Sequence, residues 1–94
     1  MCLLLKMIFD WDPEKEKWLK ENRGISFHHV LFHIENDDLL DVRVHPNKEK
    51  YPHQKVLILK MNDYVYVVPF VKDRYIFFLK TIIPSRKETK RYLK

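Results

Sequence analysis

Ninety-four residues make one domain, spanning 1–94, and its one glycine, Gly24, excludes a glycine-rich phosphate loop and a dinucleotide fingerprint. The one cysteine, Cys2, excludes an intramolecular disulfide and fits a reducing compartment, and no other segment reads as a target signal or membrane span, so the cytoplasm is the expected location. The formal net charge of +5 is concentrated: residues 80–94 hold Lys80, Arg86, Lys87, Lys90, Arg91 and Lys94 against Glu88 alone, while the rest of the chain balances twelve basic against twelve acidic side chains. A cationic edge on a neutral domain points to a polyanion, nucleic acid first.

In chain order, residues 1–6 are apolar but too short for a signal core or a membrane span. They read either as an N-terminal extension, with Met7 as the better start, or as residues that pack on the core. A first strand is expected over 7–11. Asp12-Pro13 gives an N-cap followed by proline at the first helical position, and Glu14 and Glu16 fall in the first turn, where the helix dipole favours acids. This helix should run to about Asn22, with Trp18 and Leu19 on its buried side and the glutamates on its wet side, and stop at Gly24. Ser26 caps a second helix, whose Phe27, Val30, Leu31 and Ile34 fall on one face. Asn36-Asp37-Asp38 ends it.

The second half changes period. Strands are expected over 39–44, 56–60, 64–71 and 75–83, with a polar loop from His45 to His53 and a tight hairpin turn at Asn62-Asp63. Pro69 cannot donate to a ladder and marks a bulge or an edge. Ser85 and Glu88 are spaced as a capping box for a last, basic helix. The predicted class is α+β: a curved antiparallel sheet of four to five strands with two N-terminal helices and a short C-terminal helix, the helices covering one face.

Two stretches resemble a family. Phe9-x-Trp11-Asp12-Pro13-x-Lys15 before a helix, with Gly24-Ile25-Ser26-Phe27 opening the next, is similar to the BrnT toxins of type II toxin–antitoxin systems. Lys80-Thr81-Ile82-Ile83-Pro84-Ser85-Arg86-Lys87-x-Thr89-Lys90 resembles the ending of that family, a strand followed by Ser-Ala-Arg and a basic helix. Two departures stand out: the 45–53 loop is longer and richer in lysine and histidine, and Pro84-Ser85 replaces Ser-Ala. The resemblance implies a fold similar to RelE-like ribonucleases, cleavage of RNA that halts translation, and a cognate DNA-binding antitoxin. The chain is then expected as a dimer, or as a heterotetramer with that antitoxin.

Metal-free RNA cleavage needs the 2′-hydroxyl deprotonated or acidified by a cation, positive donors for the phosphorane, and an acid for the 5′-oxygen. RelE-like enzymes resemble one another in using lysine, arginine, histidine and tyrosine. The candidates are therefore Lys80, which interrupts an apolar strand, and Arg86, just past a helix N-cap, with Lys55, His45 and Tyr92 behind them. Lys87, Lys90, Arg91 and Lys94, with Lys48 and Lys50 of the loop, would steer and hold RNA. The plain alternatives are a solvated strand lysine and an ordinary first-turn arginine.

His29 and His33 stand at i, i+4, a spacing that zinc uses, yet no third ligand lies at a fitting distance in sequence, so neither a metal nor another cofactor is expected. Ser85, Thr81 and Thr89 have no His–Asp partners for nucleophilic hydrolysis. The rival function is a non-catalytic nucleic-acid-binding or interaction module that uses the same basic edge. The last helix is too short and polar to anchor at a membrane.

Overall fold

Strand β1 (Ile8–Trp11) runs through Asp12 into helix α1 (Pro13–Arg23), in a computed structural model that describes residues 8–93. The expected extension over 1–6, Met7 and Lys94 lie outside the described residues. The Asp12 side chain accepts the Glu14 N–H at 3.0 Å, and Gly24 ends the helix in the left-handed region at φ 62°. Helix α2 (Phe27–Glu35) opens on a reciprocal box: His29 N–H donates to Ser26 Oγ, and Ser26 N–H donates to His29 Nδ1 at 3.1 Å. An imidazole takes the place that glutamate or glutamine usually fills.

Four strands follow in meander: β2 (Leu39–Val44), β3 (Lys55–Met61), β4 (Tyr64–Asp73) and β5 (Ile76–Leu79). Asn62 and Asp63 both take positive φ, 56° and 61°, as a two-residue hairpin that matches strand twist requires. A short strand, β6 (Ile83–Pro84), leads into helix α3 (Arg86–Tyr92). The sheet order is β1-β5-β4-β3-β2, with β6 pairing on β4 beyond the end of β5. The sheet is mixed, because β1 lies parallel to β5. The expected all-antiparallel sheet fails here because that pairing is non-local, and no tight turn sets its direction.

The helices cover both faces rather than one. On the first face Leu19, Phe27, Val30 and Ile34 pack with Leu57, Leu59, Met61, Val68, Leu79 and Ile82. Complete burial of such a side chain stabilises by about 1.5–3 kcal/mol. On the second, Val56, Ile58 and Val65 pack with Tyr92 and Leu93 at the end of α3. Alternation explains the split: β3 is apolar at every position from Val56 to Leu59, so both of its faces need cover.

Two helix expectations are corrected. Glu16 is buried, not on the wet side, and its carboxylate accepts the Phe27 N–H at 2.7 Å and meets His28 Nδ1 at 3.0 Å. It thus satisfies a free amide at the start of α2, where helix geometry leaves donors unpaired. Trp18 is exposed, not buried, and sits between Lys15 Nζ, 4.7 Å from its ring centre, and the Arg23 guanidinium, 5.2 Å away. The Ser85 box forms by half: Ser85 Oγ accepts the Glu88 N–H at 3.1 Å, but the Ser85 N–H goes to Val65 O and the Glu88 carboxylate goes to Arg43.

The expected strand over 75–83 is broken. Phe70 pairs Leu79, and Val67 pairs Ile83, so β4 advances three residues while its neighbour advances four. One extra residue on one strand is a β-bulge. It lies opposite Pro69, whose carbonyl accepts the Lys80 N–H at 2.8 Å but which has no N–H to return. The bulge turns Ile82 into the core beside Leu79, and Arg23 Nη1 fixes the turn by donating to Ile82 O at 2.6 Å.

Candidate functional site

Lys80 opens the bulge, its N–H on the Pro69 carbonyl and its side chain exposed, with the ammonium 5.2 Å from the Phe78 ring centre. Around it lies a groove of about 460 Å³ lined by Lys15, His45, Tyr51, Gln54, Lys80 and Thr81, among others. A neighbouring groove of about 620 Å³ is walled by Trp11, Asp12, Phe78 and, again, Lys15 and Lys80. The two lysines therefore stand between two adjoining depressions at the end of β1 and β5. Lys15 comes from the first turn of α1, where the dipole disfavours a cation. That misfit was the available signal for Lys15, which sequence reasoning did not select.

The loop between β2 and β3 brings His45 to the same groove. Its base is closed by the His45 N–H donating to Gln54 O at 3.1 Å, and its interior by Tyr51 N–H to Asn47 O at 3.0 Å. The Tyr51 ring lies 4.5 Å from the imidazole centre. His45 Nδ1 accepts the Asn47 N–H at 3.0 Å, which fixes a neutral tautomer with the proton on Nε2. As held, His45 is a hydrogen-bond donor rather than a base. Lys48 and Lys50 are exposed on this loop, the Lys50 ammonium 5.4 Å from the Tyr51 ring centre.

Lys80 and His45 are thus brought together, with Lys15 and Tyr51 added. Lys55 is not among them: it lines a separate groove of about 380 Å³ with His53 and Lys72 above Val42, Phe70 and Phe77. Tyr92 belongs to a network on the α3 face. Arg43 reaches Glu88 with two nitrogens, donates to Tyr92 Oη at 2.7 Å, and its Nε lies 3.2 Å from Asp41 Oδ2. Hydrogen bonds to Glu88, then to Tyr92, raise the Arg43 pKa above its ordinary value. The Val42 N–H holds the Asp41 carboxyl below its ordinary 3.8 against the opposing effect of burial, and Arg43 and Tyr92 add to the lowering.

Arg86, Lys87, Lys90 and Arg91 are exposed on α3, and among the described residues none makes an ion pair. Glu88, the one acid of that segment, is held by Arg43 at 3.0 Å. The helix histidines have separate partners: His28 meets Glu16, His29 caps α2, and His33 Nδ1 lies 2.7 Å from Asp38. Among the described residues no three His, Cys, Asp or Glu side chains cluster as metal ligands, and no helix is long and apolar enough to cross a membrane. Comparison with protein-family models, curated proteins and solved structures finds no match for the chain.

Proposed function

We propose that this protein is a BrnT-like toxin of a type II toxin–antitoxin pair, a metal-independent endoribonuclease related to RelE-like enzymes, that cleaves RNA and so inhibits translation. The observation that carries the reading is the groove at the bulge, lined by Lys15, His45, Tyr51 and Lys80. These side-chain types suit phosphoryl chemistry without a metal: ammonium groups acidify the 2′-hydroxyl and neutralise the phosphorane. Lys80 and Lys15 take that role, and the His45 Nε2–H donates to a non-bridging oxygen. The 2′-oxygen bonds to phosphorus as its proton passes to water. The bond to the 5′-oxygen breaks, that oxygen takes a proton from a lysine ammonium, and a 2′,3′-cyclic phosphate remains. Arg86, Lys87, Lys90 and Arg91 hold the flanking RNA and are covered when the cognate DNA-binding antitoxin is bound in a heterotetramer. The setting of this chemistry is the cytoplasm.

The test is incubation of the purified chain with mixed-sequence RNA, free and on ribosomes, in a chelator. Expected are fragments with 2′,3′-cyclic ends, and a rate about 100-fold lower in Lys80→Ala. Intact RNA together with unimpaired growth on induction sinks the proposal. A second reading, a nucleic-acid-binding module that does not cleave, draws on the unpaired cations of α3 and on the commitment of the Tyr92 hydroxyl to Arg43. Binding that falls on charge reversal at Arg86 and Lys87, with no cleavage seen, favours it.

A further inference from the structure

Strand β2 is an edge of the sheet, and Leu39, Leu40, Val42 and Val44 are all exposed along it. An open apolar edge is a template for another strand. Its backbone has a defined polarity. His45 N–H is directed to β3, donating to Gln54 O at 3.1 Å. By the alternation of an antiparallel ladder, Arg43 and Asp41 also bond to β3, and Val42 and Val44 present their N–H and C=O groups outward. In agreement, the Val42 N–H donates to Asp41 Oδ1, at 2.8 Å.

We infer that β2 pairs antiparallel with β2 of a second copy of this chain, about a twofold axis through Val42. The side chains select this register. A twofold antiparallel pair must be centred on a residue, because opposite side chains share a face. Centring on Asp41 sets two aspartates face to face, and centring on Arg43 sets two arginines. Centring on Val42 sets Asp41 opposite the partner subunit's Arg43, twice over, and the regular pairing spans Asp41 to Arg43, because β2 carries a bulge between Leu39 and Asp41. Val42 then exchanges both backbone bonds with the partner subunit's Val42. The Asp41–Arg43 pairs fall at the non-hydrogen-bonded positions, where side chains approach most closely. On pairing, the Asp41 carboxylate releases the Val42 N–H to the partner carbonyl and turns to the partner subunit's Arg43.

The axis is perpendicular to the sheet, so faces are conserved. Arg43 holds α3 beside β2 through Glu88 and Tyr92, and the two α3 helices therefore stand on the same face of a continuous sheet. Their cations form one surface that spans both copies, and a polyanion long enough to reach both gains by effective concentration. This pairing holds whether or not the chain cleaves RNA.

Sedimentation velocity over a dilution series tests it, on the intact chain, with Asp41→Lys and Val44→Lys beside it. Expected is a concentration-dependent species of twice the chain mass, with self-association weakened at least tenfold in each variant. Val44 is exposed, so its variant keeps the test valid if Asp41→Lys fails to fold. A wild-type chain that stays monomeric up to the highest soluble concentration overturns the inference. So does a dimer that both folded variants retain unchanged.

Discussion

The Arg43 guanidinium clasps the Glu88 carboxylate with two nitrogens, at 3.0 and 3.4 Å, across 45 residues of chain. One partner stands on an edge strand and the other on the last helix. The contact joins α3 to the sheet and removes the one negative charge from a basic segment.

Arg43→Ala should therefore loosen α3 and leave Glu88, only 12% exposed at its side chain, without its partner. The expected loss is about 2 kcal/mol, within the range for hydrogen bonds to charged groups. It is read as a lower urea midpoint. Arg43→Lys should recover little of it, because an ammonium cannot make the paired contact. Full recovery by lysine would reduce the relationship to simple charge attraction.

Glu16 offers an independent measure of a buried carboxylate. Glu16→Ala leaves the Phe27 N–H without its acceptor at 2.7 Å, and stability should fall by about 1–3 kcal/mol. Glu16→Gln keeps the shape and should fall by less. Chemical denaturation of both variants decides the order.

Acid should act partly through Asp41. Its carboxyl is held below the ordinary 3.8, chiefly by the Val42 N–H. A depressed folded value means that the ionised form favours the fold. The contribution is present above about pH 4 and is lost as pH falls through the lower folded value. Thermal unfolding of wild type and Asp41→Asn, at one protein concentration, should differ at neutral pH and converge as pH falls below the ordinary carboxylate range. A difference that grows in acid contradicts the assignment.

The tautomer of His45 predicts an unusual activity pattern under the proposed function. With Nδ1 occupied by the Asn47 N–H at 3.0 Å, the ring serves as a neutral donor. His45→Gln should keep part of the rate, whereas His45→Ala should lose about 10²-fold. Equal loss in both, with a pH profile that steps near the histidine range, would instead make His45 a proton carrier.

Much of the fold was legible because local chemistry states it. Asp12-Pro13, Gly24, Ser26 and Asn62-Asp63 each determine a cap or turn from their own side chains and backbone preferences, and each stands where expected. The β1–β5 pairing and the placement of α3 on the opposite face were not legible, because they depend on contacts distant in sequence. Glu16 was misread since a charged helix position looks solvated until its neighbour helix supplies an amide. The site divides the same way. Pro69 was readable as a bulge or an edge, Lys80 stood out as a cation in an apolar run, and His45 was a candidate of the polar loop. Tyr51 joined them only through tertiary folding, Lys15 had no signal beyond its misfit with the helix dipole, and Arg43 had none.

The bulge has a further property, one of chain length. Between Leu79 and Ile83 the strand has one residue more than β4 opposite it. Deleting Thr81 would make the two lengths equal, and alternation would still turn Leu79 and Ile82 inward and Ile83 outward. The core would close over the deletion, and Lys80 would keep its bond to the carbonyl of Pro69, which has no donor to return. A single added residue thus bends the chain beside the groove while the core on either side keeps its alternation.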